Sequence, residues 1–241
     1  MPDRNALPGG AISSRPLRFY WILDVSGSMR SAGKIQSLNG AVRSAIPAMQ
    51  AVAAENPHVQ LLVRTLAFST GTRWMTGEPV PVDSVEWKDL KAKGRTDMGA
   101  AMRAMAVELS VEAMPARSCP PVLIMVTDGR PGDAYKTGLR TLLAEPWGRR
   151  AIRLAIAIGE EAKLDVLRNF IGHSEIEPLV AQNAADLVGY IRWASTAVVD
   201  TASAPRSQAA AEERQRQPSA MDGIAELPRP IVRHIDPTAV W

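Results

Sequence analysis

Three short stretches of this 241-residue chain carry side chains able to do chemistry. The first is ILDVSGSMRSAGK (Ile22–Lys34), an apolar run that stops at Asp24 and gives way to small residues ending in Gly-Lys. The second is GRTDMGAA, where Thr96 precedes an Ala- and Met-rich segment. The third is PPVLIMVTDG (Pro120–Gly129), which closes on Asp128. A strand ending in a small-residue loop suits either a phosphate cradle or a metal ion. The P-loop pattern needs four residues between its glycines and a hydroxyl after its lysine. Here five residues separate Gly27 from Gly33 and Ile35 takes the hydroxyl position, so spacing excludes it. The dinucleotide fingerprint G-x-G-x-x-G is also missing after the first strand. The metal reading fares better: Asp24, Ser26 and Ser28 alternate, so a curled loop can aim three oxygens one way. Hard cations such as Mg2+ take near-octahedral oxygen shells and keep some waters. One carboxylate and two hydroxyls leave such a shell unfilled, and Thr96 and Asp128 are the further candidates.

The elements that must position these residues follow from apolar spacing. Leu17–Asp24, His58–Ser69, Pro120–Gly129, Ala151–Gly159 and Ile176–Val180 read as strands, several of them apolar throughout, as strands buried on both faces are. Ile35, Leu38, Val42, Ile46 and Met49 share one helical face, with a kink or break expected at Pro47. Further helices are expected from Thr96 (with Thr96 as cap and Asp97 complementing the helix dipole), around Leu139, Leu142 and Leu143, over Ala162–Phe170, and over Ala184–Val198. Trp74–Val85 reads as a hairpin or edge strand. Alternating strands and helices predict an α/β fold: a doubly wound, mostly parallel sheet with helices on both faces and one antiparallel edge strand. Ligands of such sheets bind beyond the carboxyl ends of the strands, where Asp24 and Asp128 both stand.

Composition narrows the function. A net charge of +3 with scattered basic residues does not argue for nucleic acid. No apolar run reaches a membrane span, and residues 1–16, broken by Pro and Gly, lack a secretory h-region. Cys119 is the single cysteine, so no intramolecular disulfide or cysteine cage can form, and it is expected to be inert. A cytoplasmic location is the expectation. His58, His173 and His234 lack ligand spacing. Met98, Met102 and Met105 read as core. Asp133 reads as turn chemistry, and Arg30 and Lys34 as surface charges that either are simply solvated or attract an acidic partner.

With these residues in view, D-x-S-x-S (Asp24, Ser26, Ser28), the mid-chain Thr96 and T-D-G (Asp128) resemble the von Willebrand factor A domain, over roughly Leu17 to Thr196. The resemblance implies a Rossmann-like fold and a metal-ion-dependent adhesion site. It implies that Ser26, Ser28 and Thr96 touch the ion directly, while Asp24 and Asp128 act mainly through water. The ion implied is Mg2+, with Mn2+ or Ca2+ as alternatives. Neutral hydroxyl ligands leave the ion most of its charge, so an Asp or Glu of a protein partner can complete the shell. LDVSGSM and LIMVTDGRPGD look most like the short bacterial TerY type, linked to tellurite resistance and stress response. That likeness implies a non-enzymatic scaffold beside a partner kinase or phosphatase. The alternatives are an adaptor subunit of a MoxR- or chelatase-type AAA ATPase, and a metal-dependent hydrolase or phosphotransferase.

The expected organisation is a flexible leader over 1–16, the A domain over 17–199, and a linker with C-terminal extension over 200–241. Three fates stay open for the extension. Glu226 or Asp236 folds back to cap the site, Ile231, Val232, Ile235, Val240 and Trp241 dock on the domain or a partner, or the segment is disordered.

Overall fold

A computed structural model describes residues 14–159, 161–203 and 220–228. The chain runs β1 (Arg15–Asp24), a 3-10 segment (Gly27–Gly33), α1 (Lys34–Ala54), β2 (Val59–Ser69), β3 (Gly71–Trp74), β4 (Val80–Pro81) and α2 (Met98–Glu108). It continues through β5 (Val122–Thr127), α3 (Tyr135–Ala144), α4 (Pro146–Arg150), β6 (Ile152–Ile158), α5 (Leu164–Ile171), β7 (Leu179–Ala181), α6 (Ala184–Ser203) and α7 (Ala220–Ala225). The strands form a single sheet in the order β3-β2-β1-β5-β6-β7, with β4 also on β2. The pairings β2-β1-β5-β6-β7 are parallel, and β3 and β4 pair antiparallel with β2, so two short segments share the expected antiparallel edge.

β1 is central, paired along one edge with β2 and along the other with β5, and side chains on both of its faces are buried. Phe19, Tyr20, Trp21, Ile22 and Leu23 are all fully buried, and each large apolar side chain so removed from water contributes about 1.5–3 kcal/mol. The strand opens at Arg15, inside the stretch expected to be leader, since the Arg15 N–H bonds the His58 carbonyl at 2.8 Å. The rest of that leader, residues 1–13, lies outside the described residues. Leu23 pairs with Val126 in β5, which sets Asp24 beside Thr127 and one residue short of Asp128.

Two expectations are corrected. α1 runs unbroken through Pro47: the proline removes one ladder hydrogen bond, yet Ile46 and Met49 on either side of it stay buried in the core. β7 starts at Leu179 and not at Ile176, because Pro178 has no N–H to give a ladder, and Ile176 packs into the core instead. Met98, Met102 and Met105 are core residues, as expected. Cys119 is buried, and burial pushes its thiol up. Among the described residues no helix is long and apolar enough to cross a membrane.

Candidate metal site

β1 and β5 deliver two acids to the carboxyl edge of the sheet, and both are almost wholly buried: Asp24 is 0% exposed and Asp128 1%. Asp24 Oδ1 accepts the Ser26 N–H at 2.8 Å, and Oδ2 accepts the Thr127 hydroxyl at 2.5 Å. Burial pushes the Asp24 carboxyl up to about 6; the Thr127 and Ser26 hydrogen bonds oppose that, and the nearby Asp128 charge adds to it. Asp128 is held from two sides, with Oδ1 accepting the Ser28 hydroxyl at 2.7 Å and Oδ2 accepting the Lys34 ammonium at 2.9 Å. The Ser26 and Ser28 hydroxyls lie 3.1 Å apart.

Thr96 reaches the site through the loop that precedes α2. That loop is tied down along β1 and β2: Gly27 N–H bonds the Gly94 carbonyl, Lys93 N–H the Val25 carbonyl and Asp97 N–H the Ser69 carbonyl. The Thr96 carbonyl in turn accepts the Gly132 N–H at 2.7 Å, linking it to the segment after Asp128. Gly129 keeps the space between them open, for a Cβ there would stand 3.3 Å from Thr96 Oγ1 and 3.7 Å from Asp24 Oδ2. All five sequence-predicted residues therefore converge on one edge.

Thr96 does not cap α2. The helix begins at Met98, and its first free N–H groups, those of Gly99 and Ala100, donate to the two oxygens of Asp133 at 2.7 and 2.8 Å. Asp133 is thus more than turn chemistry. Asp97 sits just before the helix and uses its carboxylate to accept the Gly71 N–H at 3.0 Å. Lys34 is not a surface charge: only 6% exposed, it forms a buried ion pair. Arg30 is exposed and its Nε donates to the Ala92 carbonyl at 2.8 Å.

The donors suit a hard cation. They are all oxygens, two of them belong to buried acids whose charges repel, and the hydroxyls add no charge. Among the described residues no three His, Cys, Asp or Glu side chains gather as a metal-holding group, so the site is not a charge-dense cage. Sequence reasoning missed the roles of Thr127, Lys34 and Asp133. Thr127 lay in plain view inside T-D-G, but nothing in the order of residues pairs Lys34 with Asp128 or Asp133 with a helix some thirty positions earlier.

No protein-family model matches the chain, and neither does any curated protein. Solved structures do. A von Willebrand factor type A protein from Catenulispora acidiphila superposes with a TM-score of 0.59 at 17% identity, covering 76% of this chain and 42% of that one. Proximal thread matrix protein 1 from the mussel byssus, with a zinc-occupied metal-ion-dependent adhesion site, gives 0.53 at 12% identity over 77% of this chain and 46% of that one. The pilus adhesin SpaC from Lactobacillus rhamnosus GG gives 0.60 at 12% identity over 75% and 30%. This chain therefore has the von Willebrand factor A fold, and it spans less than half the length of each of these three structures.

Proposed function

We propose that this chain is a von Willebrand A-type interaction module that binds a partner carboxylate through a divalent cation, most simply Mg2+. The observation that carries the reading is the convergence of Asp24, Ser26, Ser28, Thr96 and Asp128 on one sheet edge around the opening beside Gly129. Ser26, Ser28 and Thr96 would hold the ion with their hydroxyls, while Asp24 and Asp128 would bind its waters. When bound, the ion supplies a positive centre with an unfilled position that an Asp or Glu from another protein can take. Exposed Arg30, in the 3-10 segment, and Arg130 and Lys163, in the connections after β5 and β6, stand at the same edge and favour an acidic partner surface.

The reading is non-catalytic. Both Asp24 oxygens are engaged, by Ser26 and Thr127, which argues against its use as a phosphoryl nucleophile. The finer setting, a cytoplasmic bacterial stress-response system with a partner kinase or phosphatase, rests on the likeness of LDVSGSM and LIMVTDGRPGD to the TerY type.

Calorimetric titration of Mg2+ and Mn2+ into wild type and Asp24→Ala tests the ion site, with binding expected in the first and lost in the second. Equal binding by both sinks the assignment. Capture of a partner from lysate in Mg2+ but not in chelator is the expected companion result. Metal-dependent phosphatase turnover abolished by Asp24→Ala would replace the non-catalytic reading.

A further inference from the structure

The ion-site reading leaves one buried group unused. Lys34 is the first residue of α1, delivered there by two consecutive left-handed residues, Ala32 at φ 50° and Gly33 at φ 71°. An alanine in that region is uncommon and costs free energy, so the loop is bent against local preference at the point that aims Lys34 inward. The side chain is 8% exposed, and its Nζ lies 2.9 Å from Oδ2 of an Asp128 side chain that is 0% exposed. The same Nζ reaches the end of β6, 3.9 Å from where a Cβ on Gly159 would stand, which is ordinary contact distance. Two carboxylates and one ammonium are thus buried together, giving the group a net charge of one negative unit in place of two.

We propose that Lys34 is an internal cation that sets the charge of this site: it keeps the two acids assembled when no metal is bound, and it weakens the hold on the metal when one is. The proposal rests on the ion-site reading and adds a positioning residue to it. Its first half follows from solvation. Buried like charges repel and lose their water, and an opposite charge in hydrogen-bond contact offsets both costs. Its second half follows from Coulomb's law. A divalent ion near Asp128 is repelled by the ammonium bonded to that same carboxylate, and because the ammonium is buried the pair is screened less than two surface charges would be. The ammonium also competes for Asp128 itself, since Ser28 engages Oδ1 and Lys34 engages Oδ2. The result is a preassembled site whose ion exchanges readily.

The test compares wild type, Lys34→Met, Lys34→Gln and Lys34→Arg by thermal unfolding in chelator and by titration with Mg2+ and Mn2+ at fixed ionic strength. The neutral variants are expected to unfold at lower temperature in chelator and to gain more from the metal than wild type does. They are also expected to bind the metal at least about tenfold more tightly, the direction and order of magnitude set by removing one buried unit charge a few ångströms away. Lys34→Arg keeps the charge and should not show the tighter binding. Glutamine retains an N–H donor for Asp128, so it carries the same test if the methionine variant fails to fold. Neutral variants that fold only in the presence of metal support the proposal, and variants that metal does not rescue overturn it. Metal binding in the neutral variants equal to or weaker than in wild type also overturns it, while leaving the ion site intact. If neither wild type nor the neutral variants take up metal, the ion-site reading fails with it.

Discussion

Asp24, in the candidate ion site, shows how a buried acid costs the fold stability at the level of a single residue. Its carboxyl, ordinarily titrating near 3.8, is pushed up to about 6 by burial. The folded, metal-free protein therefore holds this proton more tightly than the unfolded chain does. As pH rises from about 4 to about 6, the unfolded chain releases the proton first and stability falls. Above about 6 the whole penalty is present, at most roughly 3 kcal/mol at about 1.4 kcal/mol per pH unit, and below about 4 it vanishes. Asp24→Asn cannot carry the charge, and its oxygen still accepts the Ser26 N–H. In chelator, thermal unfolding should find this variant more stable than wild type at pH 8, with the gap closing by pH 4. In Mg2+ the order should reverse, because the ion stabilises only the protein that binds it. An Asp24→Asn variant no more stable than wild type at pH 8 in chelator would show that Thr127 and Ser26 already offset the burial. The acids and hydroxyls of this candidate site were legible in the sequence because each follows an apolar run or shortly precedes a helical one. The Thr127 bond to Asp24 was not, since a buried hydroxyl reveals its partner only when strand register is known.

Among the elements, α2 matters most to the site, because the loop before it carries Thr96. Helix starts need acceptors for their free N–H groups, and sequence supplied an obvious one in the Thr-Asp pair. The fold supplies another. α3 packs so closely on α2 that a Cβ on Gly138 would fall 2.4 Å from the Gly99 carbonyl oxygen, and one on Gly99 would fall 2.8 Å from the Ala134 backbone. Only a glycine-on-glycine contact permits that approach, and it brings Asp133, just before α3, onto the open end of α2. Asp133→Ala should then cost about 1–2 kcal/mol by loss of the cap, measured by chemical denaturation. It should also weaken Mg2+ binding, because neighbouring Gly132 secures the Thr96 carbonyl. Asp133→Asn keeps an acceptor and should recover part of both losses. Unchanged Mg2+ affinity in Asp133→Ala would mean that Thr96 is placed by its own loop alone. The order of the main strands and helices was readable from apolar spacing, whereas the short α4 and α7 were not. The cap was not, since it depends on a crossing between elements far apart in the chain.

At the scale of the whole molecule, the described part of the C-terminal extension separates stability from binding. α7 buries Met221 and Ile224 against the domain, beside Leu154, Ile176, Leu179 and Trp193. Its anchors lie toward the amino-terminal end of β6: the Arg153 N–H points at Met221 Sδ at 3.2 Å, and Asp222 contacts His173 Nε2 at 3.0 Å. The Trp193 indole N–H donates to the Pro228 carbonyl at 3.1 Å. In a parallel sheet that is the edge opposite Asp24 and Asp128, so Glu226, exposed beyond α7, is not placed to cap the metal site. Asp236, Ile231, Val232, Ile235, Val240 and Trp241, the other residues expected to cap the site or to dock, lie outside the described residues. Ile224→Asp sets a charge into an apolar seat and should release α7. The expected loss is about 2 kcal/mol or more, limited to the free energy with which this segment docks, because a released helix can lose no more. Hydrogen exchange should rise in α7 and in the parts of β6 and α6 that it covers, while the Mg2+ isotherm stays that of wild type. Because the docked helix and the candidate ion site share no residue, a change in Mg2+ affinity would require coupling through the sheet itself. That result would make the extension a regulator of binding, where its placement argues for a brace.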